Sequence, residues 1–182
     1  MTAATSEFDL DRIAEVLARH QVRYVTIGGA CGLFHGVVDY LTKDVDVLVR
    51  ADIENRQRLA EALTALGVVT EGGLTADDFV GNTQWSSDAG PIDVLLTATG
   101  PNETFLVYAD IERRSVVFQL GDDVTMPVAS LDDVIRMKEA ADREKDHQAL
   151  PELRRLRGDS HPEHPRDFDP FTDIGFEDDS DD

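Results

Sequence analysis

Two short stretches decide the fold: YVTIGGA at residues 24–30 and TKDVDVLV at residues 42–49. Each contains a run of β-branched and apolar residues, which is typical of a strand. The first run stops at Gly28-Gly29, and the small and apolar residues that follow predict a short helix. In the second run Asp44 and Asp46 are two residues apart. Successive side chains of a strand point to opposite faces, so both carboxylates are expected on one face.

The remaining hydrophobic periodicities predict an α/β (α+β) domain. We expect a small mixed β-sheet flanked by helices, followed by a helical C-terminal part. Longer helices are expected at about 10–20, 53–66, 131–142 and 144–157, and a short one from Pro101 to about Tyr108. Further strands are expected at 78–86, 92–97, 115–120 and 124–128.

The charge is strongly acidic and unevenly spread. The 182 residues contain 17 Lys and Arg against 37 Asp and Glu, for a net charge of -20. Residues 159–182 hold ten acids and one base, which is typical of a disordered tail. We therefore predict a folded domain at 1–158 and an acidic tail at 159–182. Such acidity argues against broad nonspecific binding to nucleic acid, which needs clustered Lys and Arg.

Several classes of protein are excluded by composition. The single cysteine, Cys31, allows neither a disulfide framework nor a cysteine-rich zinc site. No apolar run is long enough for a membrane helix, so no membrane partner is expected. The N-terminus lacks the basic start and apolar stretch of a signal peptide. We expect a cytoplasmic protein.

A third acid stands out in an apolar strand. Asp93 lies between Ile92 and Val94 and could join Asp44 and Asp46 if the two strands are neighbours. Like charges on one face destabilise a sheet unless something neutralises them, and Mg²⁺ prefers oxygen ligands. Two Mg²⁺ ions on three carboxylates would leave room for a phosphate-bearing substrate. The alternative is that these acids line a solvated strand edge.

The order of these features resembles a known family. A strand, Gly28-Gly29, a helix, Thr42-Lys43-Asp44-Val45-Asp46 and a later strand acid are similar to the minimal nucleotidyltransferases of the DNA polymerase β superfamily. Within that superfamily the sequence most resembles the AbiEii-like enzymes of bacterial toxin–antitoxin systems. The stretch from Ser130 to Lys138, with a basic and acidic cluster soon after, is similar to the C-terminal helical motif of these enzymes.

The resemblance implies a function and a set of site residues. It implies transfer of a nucleoside monophosphate from an NTP to a tRNA end or a protein hydroxyl, with a cognate toxin or antitoxin as a possible partner. The implied metal ligands are Asp44, Asp46 and Asp93, the implied triphosphate turn is Gly28-Gly29, and Lys138 would contact phosphate. Further implied nucleotide-site residues are Lys43, Arg143, Lys145 and Asp146.

The sequence also departs from this family. Relatives carry an Arg where this chain has Tyr40, directly after Asp39, and an acid near that position weakens triphosphate binding. This departure motivates a second hypothesis, a catalytically weakened antitoxin or regulator that binds nucleotide or a partner protein. A third is an acidic interaction domain without a nucleotide site.

The C-terminal helices hold the main basic stretch. Residues 136–157 contain seven bases against five acids, whereas residues 59–112 contain no Lys or Arg. The basic stretch could form a wall that binds RNA or triphosphate, or its charges could pair along the helix surface. The sequence leaves both readings open.

Overall fold

The structure is a computed structural model that describes residues 8–37, 42–121 and 124–159. Its helices are α1 (Leu10–Arg19), α2 (Gly28–Phe34), α3 (Ile53–Ala65), α4 (Tyr108–Arg114), α5 (Leu131–Ala141) and α6 (Glu144–Asp159). Its strands are β1 (Tyr24–Ile27), β2 (Val45–Val49), β3 (Thr83–Ser87), β4 (Gly90–Leu95), β5 (Ala98–Thr99), β6 (Phe105–Leu106), β7 (Val116–Gln119) and β8 (Thr125–Val128). Short 3₁₀ turns lie at Ala76–Asp78 and Pro101–Glu103.

Six of the strands form one mixed sheet, in the order β3-β4-β2-β1-β8-β7. The central strand β2 pairs antiparallel with β1 and parallel with β4. Strand β1 pairs parallel with β8 on its other side. The strands β5 and β6 form a separate antiparallel pair. The predicted α/β architecture, with a mixed sheet, flanking helices and C-terminal helices, is confirmed.

Burial explains why these segments fold as they do. The strands β1 and β2 sit at the middle of the sheet, and their apolar side chains, such as Val25 and Val47, are fully buried. Helix α3 contributes the buried Leu59 and Leu63 at helical spacing. Cys31 of α2, the helix after the glycine turn, is also buried. The sheet core thus fixes the ends of β1 and β2, where the predicted site begins.

The predicted helix from Pro101 to Tyr108 is wrong. A 3₁₀ turn and the short strand β6 occupy most of that range, and a helix begins only at Tyr108. Asn102 and Glu103 both have positive φ, at 57° and 58°, which a right-handed helix does not allow. Thr104 also donates its hydroxyl to the Pro101 carbonyl oxygen at 2.8 Å, which closes a local turn instead.

Some predictions fall outside the described residues. Most of the acidic tail, at 160–182, lies there, as do Asp39 and Tyr40. The division into a domain and a tail therefore stays a prediction. Among the residues that the structure does describe, no helix combines the length and the apolar composition that a membrane span requires.

Candidate active site

A glycine turn holds one carboxylate of the predicted set at close range. Strand β1 ends at Ile27, and Gly28 takes a φ of +71°, a left-handed conformation that favours glycine. A Cβ at this position would overlap the Asp46 carboxylate. The Gly29 N–H lies 3.4 Å from Asp46 Oδ2, at the long end of a hydrogen bond. The turn therefore needs glycine because the Asp46 side chain fills the space beside it.

Two acids are side by side in the sheet. Asp46 on β2 and Asp93 on β4 are register partners on parallel strands, so their side chains leave the same face. Among the described residues, Asp93 Oδ1 is buried and has no hydrogen-bond partner. An unpaired buried carboxylate oxygen is costly unless a ligand satisfies it. The two strand acids are therefore neighbours in the structure, as the sequence predicted for adjacent strands.

The third acid, Asp44, lies just before β2 rather than on it. The Thr42 hydroxyl lies 3.0 Å from Asp44 Oδ1 and 2.7 Å from the Asp44 carbonyl oxygen. Across the described ranges, no three His, Cys, Asp or Glu side chains form a ready-made metal cluster. Without a cation, mutual repulsion favours keeping the three carboxylates apart.

The Asp46 carboxyl feels its neighbours electrostatically. Burial, followed by the negative charges of Asp44 and Asp93, raises the pKa of Asp46 from 3.8 to about 6. The Gly29 N–H and the positive charge of Lys145 oppose this rise. The site thus holds a strong local excess of negative charge on the strand side.

Cations stand across from the acids, on α5 and the start of α6. Lys138 is buried, and its Nζ lies 3.1 Å from Asp146 Oδ1. Arg143 Nε donates to Asp146 Oδ2 at 2.6 Å. Burial alone would raise the pKa of Asp146, but hydrogen bonds from Arg143 and Lys138 and their charges hold it below its usual range. Asp146 of α6 therefore ties Lys138 of α5 to Arg143 of the short segment between the two helices.

The acids and cations enclose one cleft of about 740 Å³. Its lining includes every predicted site residue except Asp146: Gly28, Gly29, Lys43, Asp44, Asp46, Asp93, Lys138, Arg143 and Lys145. The observed contacts of Asp146 are to Lys138 and Arg143, so its predicted place in the nucleotide site stays a prediction.

Sequence reasoning missed three uncharged polar residues of the cleft. Asn82, Thr97 and Thr99 line it from the segments around β3, β4 and β5. One signal could have found them. Asn82 directly precedes the strand that pairs with β4, and Thr97 follows the end of β4, the strand that carries Asp93. Loops at strand ends commonly form binding sites.

His35 and Trp85 make packing and hydrogen-bond contacts outside the cleft acids. His35 Nε2 lies 2.9 Å from the Ala129 carbonyl oxygen, and its ring packs edge-on against Phe118. Burial lowers the pKa of His35, as expected for a packed histidine. Trp85 is partly buried and packs against Phe79, with ring centroids 5.7 Å apart. Neither contact involves the cleft acids.

The residues present fit a divalent cation and a nucleotide. Carboxylate oxygens of Asp46 and Asp93 leave one face together, and the unsatisfied Asp93 Oδ1 is the kind of oxygen that Mg²⁺ takes as a ligand. The negative charge of Asp44 contributes to the raised pKa of Asp46, so the two carboxylates are near each other. The cations on the opposite wall are suited to phosphate groups.

No known family profile matches the sequence, and no curated protein matches it. Two solved structures are similar in fold. One is the crystal structure of a proposed nucleotidyltransferase from Thermotoga maritima, at 14% identity and a TM-score of 0.49, covering 82% of this chain and 91% of that one. The other is the solution structure of the antibiotic-resistance factor ANT(2'')-Ia, at 15% identity and a TM-score of 0.49, covering 84% and 82%. These likenesses are too distant to bear on activity, which has to be inferred from the cleft itself.

Proposed function

We propose that this protein is a magnesium-dependent nucleotidyltransferase that moves a nucleoside monophosphate from an NTP to a hydroxyl acceptor. One observation carries the proposal. Asp46 and Asp93 are in register beneath the Gly28-Gly29 turn and face a cleft whose other wall is cationic. Phosphoryl transfer requires acids that bind metal ions on one side of the site and bases that bind phosphate on the other.

Each group has a role in this proposal. Asp44, Asp46 and Asp93 would hold two Mg²⁺ ions, which would neutralise charge on the reacting phosphate and on the leaving pyrophosphate. The Gly28-Gly29 turn would contact the triphosphate through its backbone, next to Asp46. Lys138 and Arg143 would bind the triphosphate, with Lys43 and Lys145 adding positive charge. Asp93 would accept the proton of the attacking hydroxyl.

The finer context is also proposed. The acceptor would be a tRNA end or a protein hydroxyl, and the protein would act in the cytoplasm as part of a bacterial toxin–antitoxin or defence system, beside a cognate partner. The support is the resemblance of the glycine turn and Asp-x-Asp stretch to AbiEii-like enzymes. The cleft volume of about 740 Å³ can accommodate a nucleotide.

A weakened, regulatory version of this site is the second candidate. Thr42 holds Asp44 by a hydrogen bond, and the described residues form no ready-made three-acid cluster. A protein that binds NTP through the cationic wall but assembles metal poorly would bind without turnover. It would then act as an antitoxin or regulator through a partner protein.

The test is direct. The full chain is incubated with each NTP labelled at the α-phosphate, Mg²⁺, total tRNA and the product of the adjacent gene. We expect label on an acceptor and release of pyrophosphate, both lost in Asp46→Asn and kept in Asp77→Asn, an exposed acid away from the cleft. Nucleotide binding without any transfer by the folded protein would instead support the regulator.

A further inference from the structure

The cations of the cleft are matched by nearby negative charge. Among the described residues, the lining contains four bases, Lys43, Lys138, Arg143 and Lys145, against Asp44, Asp46 and Asp93. Asp146 adds a fourth carboxylate directly behind two of these bases. Two Mg²⁺ ions and a fully ionised NTP cancel each other. The loaded cleft therefore has no positive charge left for a polyanionic acceptor.

Six of the seven bases in the C-terminal stretch form ion pairs. Glu139 accepts from Arg154 at 2.7 Å, linking α5 to α6. Asp132 lies 3.6 Å from Arg157, which makes a second link between the same helices. Further pairs of this stretch are Arg136 with Asp133, Lys138 and Arg143 with Asp146, and Arg155 with Glu152. The structure thus shows ion pairing along these helices, and Lys138, Arg143 and Lys145 of the same stretch also line the cleft.

One part of the cleft lining contains no bases among the described residues. This uncharged wall consists of Asn82, Thr97 and Thr99. They belong to a segment, 59–112, with nine acids and no Lys or Arg. An RNA backbone needs several cations along its track, because its affinity comes largely from phosphate neutralisation. The residues that the structure describes on this wall form no such track.

We infer that the acceptor is a hydroxyl on a basic polypeptide; this inference rests on the proposed nucleotidyl transfer. A chain with net charge -20 attracts cationic segments and repels polyanions, which raises the encounter rate of the former. The uncharged wall at Asn82 and Thr99 would receive the polypeptide beside the nucleotide.

The proposed reaction balances without an added oxidant or reductant. The oxygen of a Ser, Thr or Tyr side chain forms a bond to the α-phosphorus. The bond from that phosphorus to the oxygen bridging to the β-phosphate breaks, and pyrophosphate leaves with the electron pair. The hydroxyl proton passes to Asp93 and from there to solvent. The products are a phosphodiester-linked nucleotide on the side chain and free pyrophosphate.

The experiment compares three acceptors with the full chain, Mg²⁺ and α-labelled NTPs. These are a Lys/Arg-rich synthetic peptide library with one Ser, Thr or Tyr per peptide, a matched Asp/Glu-rich library, and total tRNA. We expect the basic library to be labelled about tenfold or more above the acidic one at low salt, with the ratio falling as salt screens the charges. Label mainly on tRNA, or equal label on both libraries, would overturn the inference.

A companion measurement separates this inference from the proposed function. Thermal stability is recorded with and without NTP and Mg²⁺, since a ligand of the native state raises it. Absence of stabilisation would remove the nucleotide site and both proposals with it. Stabilisation without label on any library would refute the acceptor inference and leave the nucleotide site standing.

Two double variants test whether the polypeptide binds at the uncharged wall. The double substitution Asn82→Lys/Thr99→Lys adds two positive charges beside the cleft. We expect it to lower labelling of basic peptides at least about threefold while the NTP·Mg²⁺ stabilisation persists. The matched control Val69→Lys/Val80→Lys adds the same charge at two side chains that are 90% and 80% exposed and do not line the cleft. Equal loss in the control would show that net charge alone, and not this wall, governs the acceptor.

Discussion

Asp46 and Asp93 occupy matching positions on two neighbouring parallel strands, and the buried Oδ1 of Asp93 has no partner among the described residues. Two carboxylates in this arrangement destabilise the sheet in the absence of a cation. Burial, followed by the negative charges of Asp44 and Asp93, raises the pKa of Asp46 to about 6. The pair thus favours binding of a divalent cation at the expense of the free protein's stability.

Removing the charge of Asp93 should abolish transfer and spare the fold. Asp93→Asn keeps the side-chain size but removes a proposed metal ligand and proton acceptor. We expect the rate of label transfer to fall at least about 100-fold, the scale found when one preorganised electrostatic group is lost. Circular dichroism should be unchanged. Asp77→Asn is the matched control, and an equally large loss there would show that general acidity is responsible.

The glycine turn should not tolerate a methyl group. In Gly28→Ala the new Cβ would overlap Asp46, and the φ of +71° would also be strained. Gly73→Ala has a similar φ of +81° but open space around it, so it isolates the conformational cost of about 1–2 kcal/mol. We expect Gly28→Ala to lower Tm by clearly more than Gly73→Ala and to abolish transfer. Equal effects would mean that the contact with Asp46 is unimportant.

Stability of the metal-free protein should depend on pH through Asp46. Its pKa is about 6 in the folded protein against an ordinary 3.8, so the folded state binds the proton more tightly. The stabilisation from protonation is fully present below about pH 4 and is lost as pH rises through 6.

Asp46→Asn does not titrate and should therefore become more stable than the natural protein as pH rises. The Tm of both is measured in EDTA from pH 4.5 to 7.5, with Asp77→Asn as the reference. At pH 7.5 we expect the Tm of Asp46→Asn to exceed that of the natural protein by a few °C. For a chain of this size, 1 kcal/mol of stability shifts Tm by ~2–4 °C. A gap that is constant, or that widens towards low pH, would contradict the electrostatic account.

Lys138 and Asp146 should respond differently to substitution. Asp146→Asn leaves the buried Lys138 without its carboxylate, which costs roughly 3 kcal/mol of unfolding free energy. Lys138→Met leaves Asp146 bonded to Arg143, so its stability loss should be smaller. The KM of the Lys138→Met variant for NTP should rise roughly tenfold to a hundredfold. This is the effect of losing one hydrogen bond to a charged group, about 1.5–3 kcal/mol. Unfolding curves and initial rates measure both, and the reverse order of stability would contradict the pairing.

The sequence predicted the acidic half of the site because strand geometry is local. Two-residue spacing defines which side chains share a face, and a carboxylate inside an apolar strand is conspicuous. The same reasoning placed the glycine turn at the end of β1. Asp93 was expected beside Asp46 if their strands were neighbours, and the parallel pairing of β2 with β4 meets that condition.

The rest depended on tertiary contacts that no local pattern contains. Asp146 reaches Lys138 because Asp142 takes a φ of 49° and ends α5, so α6 turns back beside it. Asn82 and Thr99 come from segments far apart in sequence and meet only in the folded cleft. The helix predicted from Pro101 failed because Asn102 and Glu103 adopt positive φ, which propensity does not reveal.

The central claim, that Asp46 and Asp93 form a magnesium-dependent nucleotide site, is tested most directly by calorimetric titration of NTP into the full chain. The titration is run with Mg²⁺ and with EDTA, on the natural protein, Asp46→Asn and Asp77→Asn. We predict binding that needs Mg²⁺, is lost in Asp46→Asn and is kept in Asp77→Asn. Binding of equal affinity in EDTA, or an Asp46→Asn variant that binds as well as the natural protein, would contradict the claim.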